Sequence, residues 1–337
     1  MNSEKPRNKI SDKPNDVVRF MHISDTHLWS EKRGQPFGTA GHDPVIWKCI
    51  WDMLPVLKPD AVFWSGDIAA GQDWKAYQIP NSPQGPLKPT IADIRYVKDY
   101  HIPVYSVPGN HDHYVIFWKI FFYVRTKILF QKFFQSGNYP RLNVFKKKDM
   151  QFNIFRIDSS SGITAFDKMT LSAGCLHKRD IKILKKWRRI AREGGEIYGI
   201  KINPEILSQS WNILIIHHEL TDDRFYSDIS ESSKIELIKF IAQIPIHVIA
   251  CGHLHEQEVS YYPLFGPGRL DKKRNWLYMK NNNRLRTEHV RISRAGSTCE
   301  RFEKTNTMNL IDFNKTTFSI KTLLYDKIEN SFLPNKM

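Results

Sequence analysis

The chain has 337 residues, with 50 lysines and arginines against 35 aspartates and glutamates, a formal net charge of +15. With 41% hydrophobic and 25% charged residues it can build a sizeable core, which excludes wholesale disorder. Cys49, Cys175, Cys251 and Cys299 are dispersed without CxxC spacing, which excludes a zinc ribbon and a disulfide scaffold and predicts reduced thiols in a cytoplasmic setting.

Residues 1–16 read as a polar N-terminal tail with no apolar run of signal-peptide length. From residue 17 a pattern recurs, in which a short apolar run gives way abruptly to Gly, Asp, Asn or His. VVRFMHI leads into SDTH (17–27), DAVFWS into GD (60–67), and PVYSV into PGNHD (103–112). NILII then leads into HHE (212–219), and IHVIA into CGHLH (246–255). Short β-branched and aromatic runs bounded by Gly or Pro predict buried strands. Helix-length segments lie between them, Asp43–Leu57 and Ile91–Asp99 among them, and the alternation predicts βαβ units with a largely parallel sheet.

Tyr114–Phe134, YVIFWKIFFYVRTKILFQKFF, is the most apolar stretch. Lys119, Arg125, Lys127 and Lys132 interrupt it, and each cation at mid-bilayer costs about 2.5–3.5 kcal/mol, so a membrane span is disfavoured. A buried cap helix or an interfacial helix fits better. In Asp180–Arg192 the residues Ile183, Leu184, Trp187, Ile190 and Ala191 form one apolar stripe of a helix whose other faces are basic. Residues 256–337 read as a strand-rich C-terminal extension, with TMNLIDF and TFSIKTLLY separated by Asn314 and Lys315. The core is expected over 17–255.

All five polar clusters follow a predicted strand, and in open α/β sheets ligands bind outside the carboxyl ends of strands. One fold can therefore bring Asp25, His27, Asp67, Asn110, His111, Asp112, His217, His218, His253 and His255 to one rim. Imidazole and carboxylate without sulfur suit zinc, manganese or iron. In Asp25-Thr26-His27 and His253-Leu254-His255, alternate residues of an extended segment point the same way, so each pair is expected to grip one ion from one side. Gly66 and Gly109 permit tight turns and close backbone approach before Asp67 and Asn110. The donors are too many for one tetrahedral ion and suit two ions sharing a carboxylate, the arrangement that clamps both oxygens of an in-line phosphoryl displacement.

The ordered series DTH (25–27), GD (66–67), GNHD (109–112), His217 and GHLH (252–255) resembles the calcineurin-like metallophosphoesterase superfamily, with every ligand position filled. The resemblance implies an α/β fold, a four-layer α/β/β/α sandwich of two mixed β-sheets flanked by helices. It implies one ion on Asp25, His27, Asp67 and His255, another on Asp67, Asn110, His217 and His253, and a hydroxide between them attacking phosphorus. It implies that His111 stabilises the phosphorane or protonates the leaving oxygen, and that Asp112 orients His111. Relatives acting on cyclic nucleotides and small diesters carry His-His-Pro-Pro at the fourth block, whereas this chain has His217-His218-Glu219-Leu220. Glu219-Leu220 is thus expected where substrate approaches, with His218 as a candidate substrate contact.

The charge fits either a coding bias or a surface for anions. A phosphorylated small molecule is the leading substrate expectation. A lipid-linked pyrophosphate handled peripherally on the inner face of a membrane is the runner-up, since relatives of that kind are basic and membrane-peripheral. A nucleic-acid substrate stands third, and a metal-free binding protein is disfavoured because every ligand position is filled. The sequence leaves the oligomeric state open.

Overall fold

The computed structural model describes residues 12–29, 41–70, 102–113, 138–162, 174–220, 229–255, 289–301 and 305–335, with residues 130 and 303 and several short strands between. Its first sheet has eight strands: β1 (Val18–Ile23), β2 (Ala61–Trp64), β3 (Leu87–Pro89), β4 (Arg95–Val97), β5 (Pro103–Ser106), β18 (Thr307–Phe313), β19 (Phe318–Asp326) and β20 (Ser331–Pro334). They lie in the order β20-β19-β18-β1-β2-β5-β4-β3, and β1, β2 and β5 are parallel. The second sheet has six strands: β8 (Arg141–Lys147), β9 (Met150–Ile157), β12 (Trp211–Ile216), β13 (Val248–Cys251), β14 (Glu258–Pro263) and β17 (His289–Arg294). Their order is β14-β17-β13-β12-β9-β8, with β9, β12, β13 and β17 parallel. Three separate hairpins pair β6 (Val115–Phe117) with β7 (Ile120–Phe122), β10 (Gly195–Ile197) with β11 (Ile200–Ile202), and β15 (Pro267–Asp271) with β16 (Trp276–Met279).

Side-chain alternation builds the layers. On β9, β12 and β13 the residues Phe152, Ile154, Ile213, Ile215, Val248 and Ala250 enter the core shared with the first sheet. Their neighbours Phe155, Ile157, Leu214, Ile216, Ile249 and Cys251 enter a second core beneath the helices α3 (Lys178–Glu193) and α5 (Glu231–Gln243). The period of two thus sends one face to each layer. Between the sheets Phe20 stacks on Phe63 at 4.6 Å and meets Phe152 edge-on at 4.9 Å, and Phe152 meets Phe313 at 5.3 Å. On the outside of the first sheet, α1 (Pro44–Asp52), capped by Asp43, seats Trp47 against Trp64 at 5.8 Å. Among the described residues the remaining helices are the short α2 (Leu54–Leu57) and α4 (Pro204–Ser208). The architecture is the α/β/β/α sandwich expected.

The stripe of α3 is buried at Leu184, Trp187, Ile190 and Ala191, while Ile183, the fifth residue of the expected stripe, is half-buried against the same core. Two expected helices differ. Within 114–134, Val115–Phe117 and Ile120–Phe122 pair as antiparallel strands, because β-branched and aromatic runs favour an extended backbone; Phe130 is buried, and the rest of that segment lies outside the described residues. Within 91–99, Arg95–Val97 pairs with β3 and β5 as a strand, and its other residues lie outside the described ones. Residues after 255 supply strands to both sheets, β14 and β17 to one and β18–β20 to the other. Among the described residues no helix is long and apolar enough to cross a membrane.

A polar tie crosses the apolar interlayer. His22, fully buried on β1, bonds Ser65 Oγ through Nε2 and Ser293 Oγ through Nδ1, each at 2.9 Å, joining the two sheets. Burial lowers the His22 pKa from 6.5 to about 3. Above pH 6.5 folded and unfolded forms are both neutral; as pH falls below that value the unfolded chain gains a proton that the fold refuses. Stability is therefore lost progressively from pH 6.5 down to about 3, by several kcal/mol in order of magnitude at 1.36 kcal/mol per unit. Urea unfolding between pH 7 and 4.5 is expected to show a shallower loss for His22→Gln than for the wild type; identical slopes would remove His22 from the acid response.

Candidate metal centre

Each predicted donor follows the carboxyl end of a parallel strand: Asp25 and His27 after β1, Asp67 after β2, Asn110 and His111 after β5, His217 after β12, His253 and His255 after β13. The loops are stitched by their backbones. Asp25 N donates to Gly66 O at 3.1 Å, His27 N to Asp67 O at 3.0 Å, and Gly252 N to His217 O at 3.0 Å. Carboxylates add further ties, with His253 N donating to Asp25 at 3.0 Å and His111 N to Asp67 Oδ1 at 2.8 Å.

These loops are turns, and the extended geometry expected of the two D-x-H and H-x-H segments is not what forms. Asp25, His27, Asp67, His253 and His255 have φ of 49°, 43°, 47°, 75° and 54°, in the left-handed region that costs a non-glycine residue energy. Strict alternation is lost with it, and one expected pairing changes. Asp25 and His27 do stay together, grouped with His255, whereas His253 turns away to His217 and His218. The GHLH loop therefore serves two groups, one through each histidine.

Within the first group His27 Nε2 and His255 Nε2 face one another at 3.2 Å, and His255 Nε2 lies 3.6 Å from Asp25 Oδ1. Toward the second, His217 Nε2 is 3.1 Å from Asn110 Oδ1 and 3.3 Å from Asp67 Oδ2, while its Nδ1–H donates to Ser65 O at 2.8 Å. That bond directs Nε2 inward. Asp67 belongs to both sides, grouped with His27 and His111 and also with Asp25 and His217. All of these side chains are buried except those of His111, His253 and His255, which are partly so.

The electrostatics follow from this burial. Burial opposes ionisation of Asp67, yet the imidazoles of His217 and His111 outweigh it and hold the carboxyl well below the ordinary range. Asp25 is pushed up, first by burial, against the pull of His255 and His217. Burial also lowers His27 to about 3 and holds His253 well down. His217 resists burial and rises to about 9 because Asp67 faces it.

Six residues take positions the sequence does not reveal. Asp112 is buried, and its carboxylate accepts the amides of Gly109 (2.9 Å), Ile68 (3.1 Å) and Ala69 (3.1 Å), tying the GNHD loop to the GD loop. His218 is buried with Nδ1 2.7 Å from Ser159 Oγ, its ring 4.3 Å from that of His253. Glu219 and Leu220, expected where substrate approaches, are buried instead: Glu219 forms an ion pair with Arg294 at the end of β17, and Leu220 joins the core beneath α3 and α5. Glu300 and Glu303, unremarked in the sequence, stand beside His255.

A two-sheet α/β sandwich with imidazoles and carboxylates gathered at the rim defines the class of molecule. A family model described as calcineurin-like phosphoesterase matches residues 18–257, and the chain belongs to that family. Over 97 residues it is 32% identical to a probable cyclic nucleotide phosphodiesterase of Pseudoalteromonas sp. (strain SM9913), covering 28% of this chain and 31% of that protein. The purple acid phosphatase of yellow lupin (Lupinus luteus) seeds shares the fold, with a TM-score of 0.51 at 12% identity over 94% of this chain and 53% of that one. The chain thus spans less than two thirds of either relative's length.

Close approach makes the centre sensitive to single methyl groups. A Cβ at Gly109 would overlap the Asp67 carboxylate and amide, and one at Gly252 would overlap Ser24 Oγ and the Asp25 carboxylate. Gly109→Ala and Gly252→Ala are each expected to cost about 1–3 kcal/mol in thermal unfolding and to weaken divalent-ion uptake by calorimetry. Wild-type stability and uptake in both variants would contradict the geometry.

Proposed function

We propose that the chain is a metal-dependent hydrolase of phosphoester bonds, a phosphodiesterase or phosphatase. The observation that carries this reading is the position of Asp67 in both donor groups, one containing His27 and one containing His217. The donor chemistry fits a pair of divalent ions, manganese, iron or zinc, with oxygen and imidazole nitrogen as ligands. Asp25, His27, Asp67 and His255 would hold one; Asp67, Asn110, His217 and His253 would hold the other. Bound there, such ions supply Lewis acidity and lower the pKa of coordinated water towards ~7.

The chain's own groups do the rest. The Ser65 carbonyl fixes the His217 tautomer by accepting the Nδ1 proton, leaving Nε2 as the donor atom. Asp67 Oδ1 accepts the His111 amide, which sets that residue at the rim, where its ring meets His27 edge-on at 4.8 Å. His111 then hydrogen-bonds a phosphoryl oxygen or hands a proton to the leaving oxygen. Asp112 contributes through the backbone, by holding Gly109 and Ile68 in place. His218 is a support for the His253 ring, and its burial speaks against a direct substrate contact.

We assign a phosphorylated small molecule as substrate, with nucleotide diesters first to be tested because the curated relative carries a cyclic-nucleotide name, and a cytoplasmic location. The cations of 114–134 and the +15 charge favour a second reading, a lipid-linked pyrophosphate met peripherally at the inner face of a membrane. Nucleic acid is the third substrate class.

Hydrolysis of bis(4-nitrophenyl) phosphate is expected to disappear with a chelator and return with Mn²⁺, Zn²⁺ or Fe²⁺. Asp67→Asn and His217→Ala should lose at least about a hundredfold, given the several kcal/mol such ions supply. His111→Ala should lose about 10²–10⁴ in kcat while retaining its metal content. Undiminished hydrolysis by Asp67→Asn would overturn the assignment. In a panel of cyclic nucleotides, nucleotide-linked lipid and single-stranded DNA, turnover of the lipid alone, together with sedimentation on anionic vesicles, would favour the second reading.

A further inference from the structure

His255 presents its two ring nitrogens to different surroundings. Nε2 looks into the centre, toward His27 Nε2 at 3.2 Å and Asp25 Oδ1 at 3.6 Å. Nδ1 looks out, toward Glu300 Oε2 at 2.9 Å and Glu303 Oε1 at 3.3 Å. Glu300 is 5% exposed, and its carboxylate also lies 3.8 Å from His27 Nε2, while the Glu303 side chain is about a third exposed. A carboxylate on the outer nitrogen accepts a hydrogen bond from Nδ1–H, which leaves the Nε2 lone pair for a cation and fixes the plane of the ring.

Glu300 is itself held. Its loop is bound to the DTH loop by Thr298 N donating to Ser24 O at 3.1 Å and by Ser297 Oγ donating to Asp25 O at 3.0 Å. Ser297 Oγ also stands 3.4 Å from Glu300 Oε2. On the other side Asp43 N donates to Cys299 O at 2.6 Å and Arg301 N to Gly41 O at 2.8 Å. These bonds join residues 297–301 to two segments more than two hundred positions earlier. The loop falls between β17 and β18, beyond residue 257 where the family match ends.

We propose that Glu300, assisted by Glu303, is a positioning residue for His255, and that this carboxylate sets the affinity of the Asp25–His27–His255 group for its divalent ion. The proposal rests on the metal-dependent reading above and extends the centre into a segment outside the matched motifs. Carboxylates in this position typically change metal affinity about 10–100-fold. Glu300, buried and closer, carries the larger share, and Glu303 the smaller.

The test titrates metal-stripped full-length protein with Mn²⁺ alone and Zn²⁺ alone by calorimetry, with ion content counted by mass spectrometry after desalting. Glu300→Ala is expected to bind one ion at least tenfold more weakly and the other as the wild type does. Glu300→Gln, which keeps shape and an acceptor oxygen, should restore part of the loss, and Glu303→Gln should cost less than threefold. Because Glu300→Ala removes a buried group, its thermal unfolding is recorded alongside; where that variant does not fold, Glu300→Gln decides. Wild-type affinities for both ions in both Glu300 variants, or an equal weakening of both ions, would overturn the proposal. His255→Ala separates the two ideas: it must lose the same ion if the centre is real. A wild type that binds no divalent ion, with His255→Ala indistinguishable from it, would overturn the metal-dependent reading instead.

Discussion

Two carboxylates, Asp25 and Asp67, are buried side by side among imidazoles, and the local fold is arranged to make that tolerable. Removing a carboxylate from water costs several kcal/mol unless hydrogen bonds and opposite charge replace the lost hydration. Here the replacement comes from the surrounding imidazoles, joined by one backbone amide for each carboxylate: His253 N for Asp25, His111 N for Asp67. The neighbouring Asp112 takes three amides and binds two of the loops together. The charge of the centre and the shape of its loops are one problem, since each carboxylate is satisfied by the loop carrying another donor.

That solution forces the backbone. For an amide to reach a carboxylate on the adjacent loop, the chain must turn within two or three residues of the strand end, and five donor residues accept a left-handed φ to do it. Asp is among the types that tolerate this region best, and His shares the preference, so ligand chemistry and turn geometry are served by the same residues. Glycine is needed where there is no room for a side chain, at Gly109 against Asp67 and at Gly252 against Asp25. Such strain persists because the sheets behind it are rigid, with the Phe20, Phe152 and Phe313 cluster locking them face to face.

The sequence makes the five strand-to-turn junctions legible because each is local: an apolar run and its donors lie within about ten residues. The stripe of α3 is legible for the same reason, since one helical period shows it. What stays hidden depends on long separations. Asp312 pairs with Arg19 from 293 positions away, and Glu300 reaches His255 through a loop that no periodicity marks. Glu219 looks exposed by its type but finds Arg294 across the parallel pair of β13 and β17. The 115–122 run was ambiguous by nature, because short aromatic and β-branched stretches satisfy strand and buried helix alike. Likewise the tail strands could be recognised as strands but not assigned to their sheets, since β18 pairs with β1 across nearly the whole chain.

The GHLH loop shows how these constraints combine. His253 and His255 are two residues apart, yet they belong to different donor groups, with Leu254 between them. The loop is fixed from three directions: by Gly252 N on the His217 carbonyl, by His253 N on the Asp25 carboxylate, and by Glu300 on the outer nitrogen of His255. Displacing either backbone tie shifts a segment too short to absorb the change, so both groups feel it, whereas the Glu300 contact acts on the His255 ring and its group alone. Asp67 couples them from the opposite side through a single side chain. A centre built this way has few independent parts: its donors lie on five loops, and those loops are bonded directly to one another, Asp25 N to Gly66 O, His111 N to Asp67 and Gly252 N to His217 O among the ties.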